Sequence, residues 1–107
     1  MARQGDIVLI DLDPNVGHEQ AGKRPALIVS NDTFNEHCNV VLLCPVTSTV
    51  NGFPLHVVLD SRTKTQGSIL CEQIRSLDIN KRGHRVLEQV PPDILKKVID
   101  IIYAEIQ

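Results

Sequence analysis

Apolar residues fall in short blocks separated by turn-forming residues until about residue 90, where their spacing changes. The first block, DIVLIDLD over residues 6–13, is rich in Ile, Val and Leu and partly alternates, which predicts a strand. Asp13-Pro14-Asn15 breaks it. PALIVS (25–30) reads as a second strand. Proline offers no N–H to a ladder, so Pro25 is expected at that strand's first position or at an edge. Asn31 or Asp32 is expected to cap a short helical turn through His37. NVVLLCPVTS (39–48) predicts a long buried strand with an irregularity at Pro45, and Asn51-Gly52 a hairpin turn with FPLHVVLD (53–60) as the returning strand. Residues 62–66 read as a polar connection, 67–78 as a strand bending near Gln73, and the segment ending at Val86-Leu87 as a short last strand.

Beyond that point the period becomes helical. Ile94, Leu95, Val98, Ile101, Ile102 and Ile106 fall on one face of an amphipathic helix. Pro92 suits its first position and Asp93 its positive end. Short strands, tight turns and one C-terminal helix predict a mainly β fold, a small and strongly bent antiparallel sheet or barrel closed by a helix. At 107 residues, one domain spanning 1–107 is expected. So small a core leaves part of the helix stripe and the strand edges uncovered, which favours a homodimer.

Composition narrows the class. Hydrophobic content of 42% and a formal net charge of −2 are ordinary for a globular chain. No apolar run approaches the ~18 residues of a transmembrane helix, and the first residues lack a signal peptide's pattern, so no membrane association and a cytoplasmic location are expected. Cys38, Cys44 and Cys71 are odd in number and show no CxxC spacing, against a disulfide framework or zinc site; Cys44 and Cys71 read as core residues. His18, His37, His56 and His84 are scattered without metal-ligand spacing, and no metal or other cofactor is expected. The charge is polarised: residues 62–85 hold six Lys/Arg against two acids, the remainder five against eleven. That stretch either holds a polyanion or is a solvated basic loop. Phe34, Phe53 and Tyr103 are the whole aromatic complement, too few for a multi-base stacking platform.

The candidate chemistry sits at the ends of strands. Residues 14–24 form an eleven-residue connection where hairpin loops run about two to five. It carries His18 as an acid or base, Glu19 as a proton or hydrogen-bond acceptor, Gln20 as donor and acceptor, and Lys23 as a cation. Arg24 precedes Pro25, which biases it to extended backbone at the junction of loop and strand. It reads either as a salt-bridging brace or as a phosphate-binding fork. Thr47-Ser48-Thr49 either closes a strand or binds an oxyanion. Glu72-Gln73, inside an apolar run, faces solvent or a site.

Together, GDIVLIDLDP, GHEQAGKRPALIVS, PVTST and CEQIRSLD followed by a basic loop resemble the MazF/PemK/Kid toxins of bacterial toxin–antitoxin modules, in the same order over nearly the whole chain. Glu19 to Pro25, an EQxGxRP run, is the most specific part. The resemblance implies an SH3-like β barrel (CcdB/MazF-like) with a C-terminal helix, a homodimer, and a metal-independent endoribonuclease, an mRNA interferase. Such an enzyme cleaves single-stranded RNA by 2′-hydroxyl attack, leaving 2′,3′-cyclic phosphate and 5′-hydroxyl ends. By position, Arg24 matches the family's catalytic arginine and Thr47 its catalytic threonine, while Glu19 or His18 matches the base. Gln20, Lys23, Ser48, Glu72 and Gln73 become substrate contacts. An arginine and an aspartate used in the Kid/PemK branch correspond to Leu70 and Glu72, so that branch's acid–base pair is not reproduced. The implied partner is a MazE/PemI-like antitoxin with an acidic tail. The alternatives are a toxin of this fold that poisons gyrase or another protein, and a peptide-binding SH3-like module; the EQxGxRP and PVTST pair argues against the first, scarce aromatics against the second.

Overall fold

A computed structural model describes residues 2–13 and 22–107. The strands are β1 (Asp6–Asp11), β2 (Lys23–Ile28), β3 (Val41–Thr47), β4 (His56–Val58), β5 (Ser68–Leu70), β6 (Arg75–Leu77) and β7 (His84–Gln89). The helices are α1 (Asp32–His37), the single turn α2 (Ile79–Arg82) and α3 (Pro92–Ile106). All pairings are antiparallel, in the order β4-β5-β3-β2-β1-β7, with β6 beside β3. The fold is mainly β with a C-terminal helix, as the pattern of blocks predicts.

Two local expectations need correction. Pro25 is the third residue of β2, an interior strand, rather than its first residue or an edge position. The Leu12 N–H donates to Gly22 O, so the peptide groups of residues 22, 24 and 26 address β1 and the nitrogen of Pro25 points toward β3. Pairing with β3 begins only at Ala26, so the missing N–H leaves no gap in a ladder. The returning strand after Asn51-Gly52 shrinks to β4, which pairs with β5 and not with β3. Pro54 removes a donor ahead of it, and the edge of β3 is taken by β5 and β6.

That shared edge explains the bend predicted near Gln73. Val46 pairs with Ile69 and Leu43 with Arg75, so five residues, 70–74, face only 44 and 45. Pro45 has no N–H to offer there, and the excess chain turns out as a 3₁₀ turn, Cys71–Gln73. Gly67 sets how closely β5 docks: a Cβ at this residue, φ +121°, would lie 2.0 Å from Thr47 O, so only glycine permits the approach.

The sheet buries both faces, which is why its strands read as nearly continuous apolar runs. Ile7, Leu27, Cys44, Val46 and Ile69 pack against Ile94 and Val98 of α3. Val8, Ile10, Leu12, Ala26, Ile28 and Leu43 pack on the other side with Leu77 and Ile79. Among the described residues the strand path has two open ends, β4 and β7. The gap between β1 and the β6–α2 segment is closed by side chains: Leu77 and Ile79 fill it, Arg75 Nη1 donates to Leu12 O (3.5 Å) and Arg82 Nη1 to Asp11 O (3.0 Å).

Local chemistry shapes the turns. Asn31 Oδ1 caps α1 by accepting from Phe34 N at 2.8 Å. The polar connection of residues 60–66 is tied down twice. Arg62 forks onto Asp60 and onto Asp93 in the first turn of α3, and Glu88 of β7 accepts from Lys64 N, Thr65 N and Thr65 Oγ1. Val58, Val86, Tyr103 and Ile106 remain about half exposed or more, the uncovered apolar surface expected of so small a core. No described helix is long and apolar enough to cross a membrane.

Candidate active site

The candidate residues gather through strand register. In β2–β3, Ala26 faces Pro45, Leu27 faces Cys44 and Ile28 faces Leu43. Carried two residues further, the same register sets Arg24 opposite Thr47, on the face away from α3. Thr47 in turn pairs with Ser68, Ser68 with Val58, Arg24 with Ile10 and Ile10 with His84. One transverse row therefore runs His84, Ile10, Arg24, Thr47, Ser68, Val58. Arg24 is half-buried, while Thr47 is only 9% exposed and accepts from Thr49 N at 3.3 Å through Oγ1. Strand alternation thus joins two motifs that lie more than twenty residues apart in sequence.

The connection that carries His18, Glu19 and Gln20 lies outside the described residues. Its two ends do not. Asp13 N donates to Asp11 Oδ1, Gly22 N to Asp13 Oδ1, and Arg82 Nη1 reaches both Asp11 O and Asp13 O (3.0 and 2.5 Å). Gly22, at φ +77°, supplies the left-handed turn into β2. The ends of the connection are therefore held at the rim of the row, beside two guanidinium groups.

Lys23 is exposed and shares a cleft of about 520 Å³ with Arg82, His84 and Arg85, bordered by Asp11. Strand pairing of β7 with β1 thus brings part of the 62–85 basic stretch next to the loop–strand junction. Such a cleft attracts a polyanion. Ser48 is exposed immediately after Thr47, and Gln73 is half-buried at the end of the 3₁₀ turn.

Glu72 stands apart from this row. Its Oε2 is 3.0 Å from His56 Nε2, and its charge acts on Glu105 in the last turn of α3. The Glu105 carboxyl is pushed up by burial and then by Glu72, and its Oε1 is buried without a hydrogen-bond partner among the described residues. The two buried cysteines belong to the same neighbourhood. Burial, then Cys71, Glu105 and Glu72, pushes the Cys44 thiol far above its ordinary range. Burial, then Glu105 and Glu72, pushes Cys71 up to about 12. Both remain protonated thiols, consistent with core cysteines.

Ser68 and His84 carry no motif, and sequence reasoning leaves both out of the site. For Ser68 the available signal is a lone hydroxyl in the apolar run SIL; for His84 it is the strand predicted to end at Val86-Leu87, once β7 is known to lie beside β1.

Comparison with known proteins follows this geometry. A family model described as PemK-like, MazF-like toxin of type II toxin–antitoxin system matches residues 3–104. The chain is 41% identical to Endoribonuclease PemK of Escherichia coli, covering 90% of this chain and 75% of that protein. It is similar to the crystal structure of MazF (Form-I) from Deinococcus radiodurans, with a TM-score of 0.91, 34% identity, and 97% and 94% of the two chains covered. A MazE–MazF structure (Form-II) from the same organism gives a TM-score of 0.84 at 34% identity, with the same coverage.

Proposed function

We propose that this chain, which belongs to the PemK-like, MazF-like toxins of type II toxin–antitoxin systems, cuts single-stranded messenger RNA at specific sequences through the row of Arg24 and Thr47. It is an endoribonuclease toxin, like its relatives PemK and MazF. A cognate MazE-like antitoxin restrains it, as the MazE–MazF assemblies of similar chains suggest. The observation that carries the finer reading is the β2–β3 register, which, extended past Ala26 and Pro45, brings Arg24 opposite Thr47; a basic cleft lined by Lys23, Arg82 and Arg85 lies beside the loop–strand junction.

The chemistry needs four things: a nucleophile, a base, an acid, and compensation for the charge that builds on phosphorus. The RNA supplies the nucleophile. The base, Glu19 or His18, takes the 2′-hydroxyl proton as the 2′-oxygen bonds to phosphorus. The P–O5′ bond breaks, the leaving 5′-oxygen takes up a proton, and the products are a 2′,3′-cyclic phosphate and a 5′-hydroxyl. Arg24 balances the negative charge of the phosphorane with a planar fork of donors and is the group assigned to protonate the leaving oxygen. Thr47 donates its hydroxyl to a phosphate oxygen. Gln20, Lys23, Ser48 and Gln73 hold the flanking nucleotides. Glu72 lies off the Arg24–Thr47 row, held by His56, and is left out of the proposed substrate contacts. All four elements come from protein and RNA, so the reaction proceeds without metal. A homodimer would cover the exposed apolar side chains of α3, Tyr103 and Ile106.

Purified protein is expected to cleave single-stranded RNA in EDTA, with products carrying 5′-hydroxyl ends. Sequencing those ends after controlled expression reads out the recognised word. An absolute metal requirement, or 5′-phosphate products, would overturn the mechanism. Glu19→Gln is expected to slow cleavage more than His18→Gln; the opposite ranking moves the base to His18.

A further inference from the structure

We propose that Ser68 is a positioning residue for the Thr47 hydroxyl, kept without a partner in the free protein so that it can complete a hydrogen-bond chain once RNA is bound. The inference rests on the assignment of Thr47 to the scissile phosphate given above.

Four observations carry it. Ser68 is 1% exposed, and its Oγ is buried with no hydrogen-bond partner among the described residues. It lies directly opposite Thr47 in the β3–β5 ladder, a placement that brings Cβ atoms within about 5 Å and lets two hydroxyls bond across the strands. Its other neighbours are apolar: Val58 on the far strand, and Ile69 and Leu70 along its own. Gly67, the preceding residue, is the point where β5 approaches the Thr47 carbonyl so closely that no Cβ fits. The chain is therefore pressed against Thr47 at the position of the serine.

A buried hydroxyl without a partner is destabilising, and alanine would occupy nearly the same space without that penalty. Packing alone gives no reason for a hydroxyl here. Thr47 supplies one. Its oxygen has two lone pairs and one proton. One lone pair accepts from Thr49 N. The second is open already in the free protein, yet Ser68 makes no bond to it; a phosphate oxygen that takes the Thr47 proton fixes the rotation of the hydroxyl and turns that lone pair toward Ser68. The completed chain runs from Ser68 O–H to Thr47 Oγ1, and from Thr47 O–H to the phosphate, each bond polarising the next. With its Oγ sealed from solvent, Ser68 acts through Thr47 and touches no substrate itself.

The test is Ser68→Ala made in the full-length chain, alone and with Thr47→Ala, using an RNA oligonucleotide that spans a mapped cleavage site. Ser68→Ala is expected to raise Tm by a few degrees while lowering kcat about tenfold at unchanged KM. In the Thr47→Ala background it is expected to change kcat no further. A structural role predicts the reverse pairing, with stability and activity falling together. Wild-type kcat in Ser68→Ala, a lowered Tm, or an undiminished effect without Thr47 each overturns the proposal. Arg24→Ala and Thr47→Ala alone serve as controls: if they too cleave at the wild-type rate, the assignment of the site fails with it; if they are impaired, only the role of Ser68 is lost.

Discussion

Two polar regions of this sheet use similar side chains to opposite ends. In the connection of residues 60–66, the charged groups find charged or hydrogen-bonding partners and Thr63 and Gln66 donate to backbone carbonyls. Arg62 forks onto two carboxylates, and Glu88 gathers two backbone N–H groups and a hydroxyl. Across the sheet, Thr47 accepts one long bond through its hydroxyl oxygen and Ser68 makes none. The first region is a closed network whose product is shape: it ties a loop to β7 and to the start of α3. The second is incomplete within the protein, and a ligand oxygen would complete it.

The comparison can be broken most sharply at Arg24. Arg24→Ala is expected to lower the cleavage rate about 10²–10³-fold with Tm nearly unchanged, because the loss falls on transition-state charge rather than on packing. Initial rates in EDTA beside a thermal melt decide this; a collapse of Tm in step with activity would make Arg24 a brace after all.

Gly67→Ala joins the two regions, since Gly67 ends the connection and abuts Thr47. The added Cβ meets the Thr47 carbonyl and the positive φ is unfavourable, so Tm is expected to fall by about 10 °C or more. Residual folded protein should also cleave poorly because the Thr47 row is displaced. A melt within a few degrees of wild type would show that β5 does not press on Thr47.

Glu88→Gln tests the closed network. Burial pushes the Glu88 carboxyl up, but the Thr65 N–H and hydroxyl and the Lys64 N–H outweigh this and hold it below its ordinary range. The Asp60 and Asp93 carboxyls are lowered chiefly by hydrogen bonds from Arg62. A depressed carboxylate contributes stability above its unfolded pKa and loses it as pH falls through the folded value. The wild type should therefore lose stability below about pH 4. Glu88→Gln should lower Tm by a few degrees at pH 7, less at pH 3, and leave kcat unchanged. A kcat loss at full stability would make this region functional.

The smallest effect is expected at Glu105, whose raised carboxyl carries the opposite sign. Its ionised form is disfavoured in the folded chain, so Glu105→Gln should raise Tm by a degree or two at pH 8. The gain should shrink as pH falls through the raised pKa and the wild-type carboxyl takes up its proton. A constant difference across pH would separate the effect from ionisation.

Much of the fold was legible in the sequence because its signals are local. Asn31 caps α1, Pro92 opens α3, and the 3.6-residue stripe from Ile94 identifies the helix face. The break at Pro45 and the bend near Gln73 were legible separately; that they are one feature, a shared edge of β3 with five residues facing two, was not. The fate of 53–60 was misread for the same reason, because a turn signal predicts a reversal and not the strand that will be met.

The sequence by itself determined which residue types could do the chemistry and, through the EQxGxRP and PVTST runs, which family the chain resembles. Those properties are written in side chains and short spacings. Only the tertiary structure decided which of them stand together. The β2–β3 register, extended past Ala26, brings Arg24 toward Thr47; Ser68 pairs with Thr47 where Gly67 lets a third strand close in; Glu72 turns instead to His56 and α3 because Pro45 forces the chain out of the ladder. Register and strand order arise from burying two apolar faces of one sheet at once. That is a property of the whole chain, and no local window contains it.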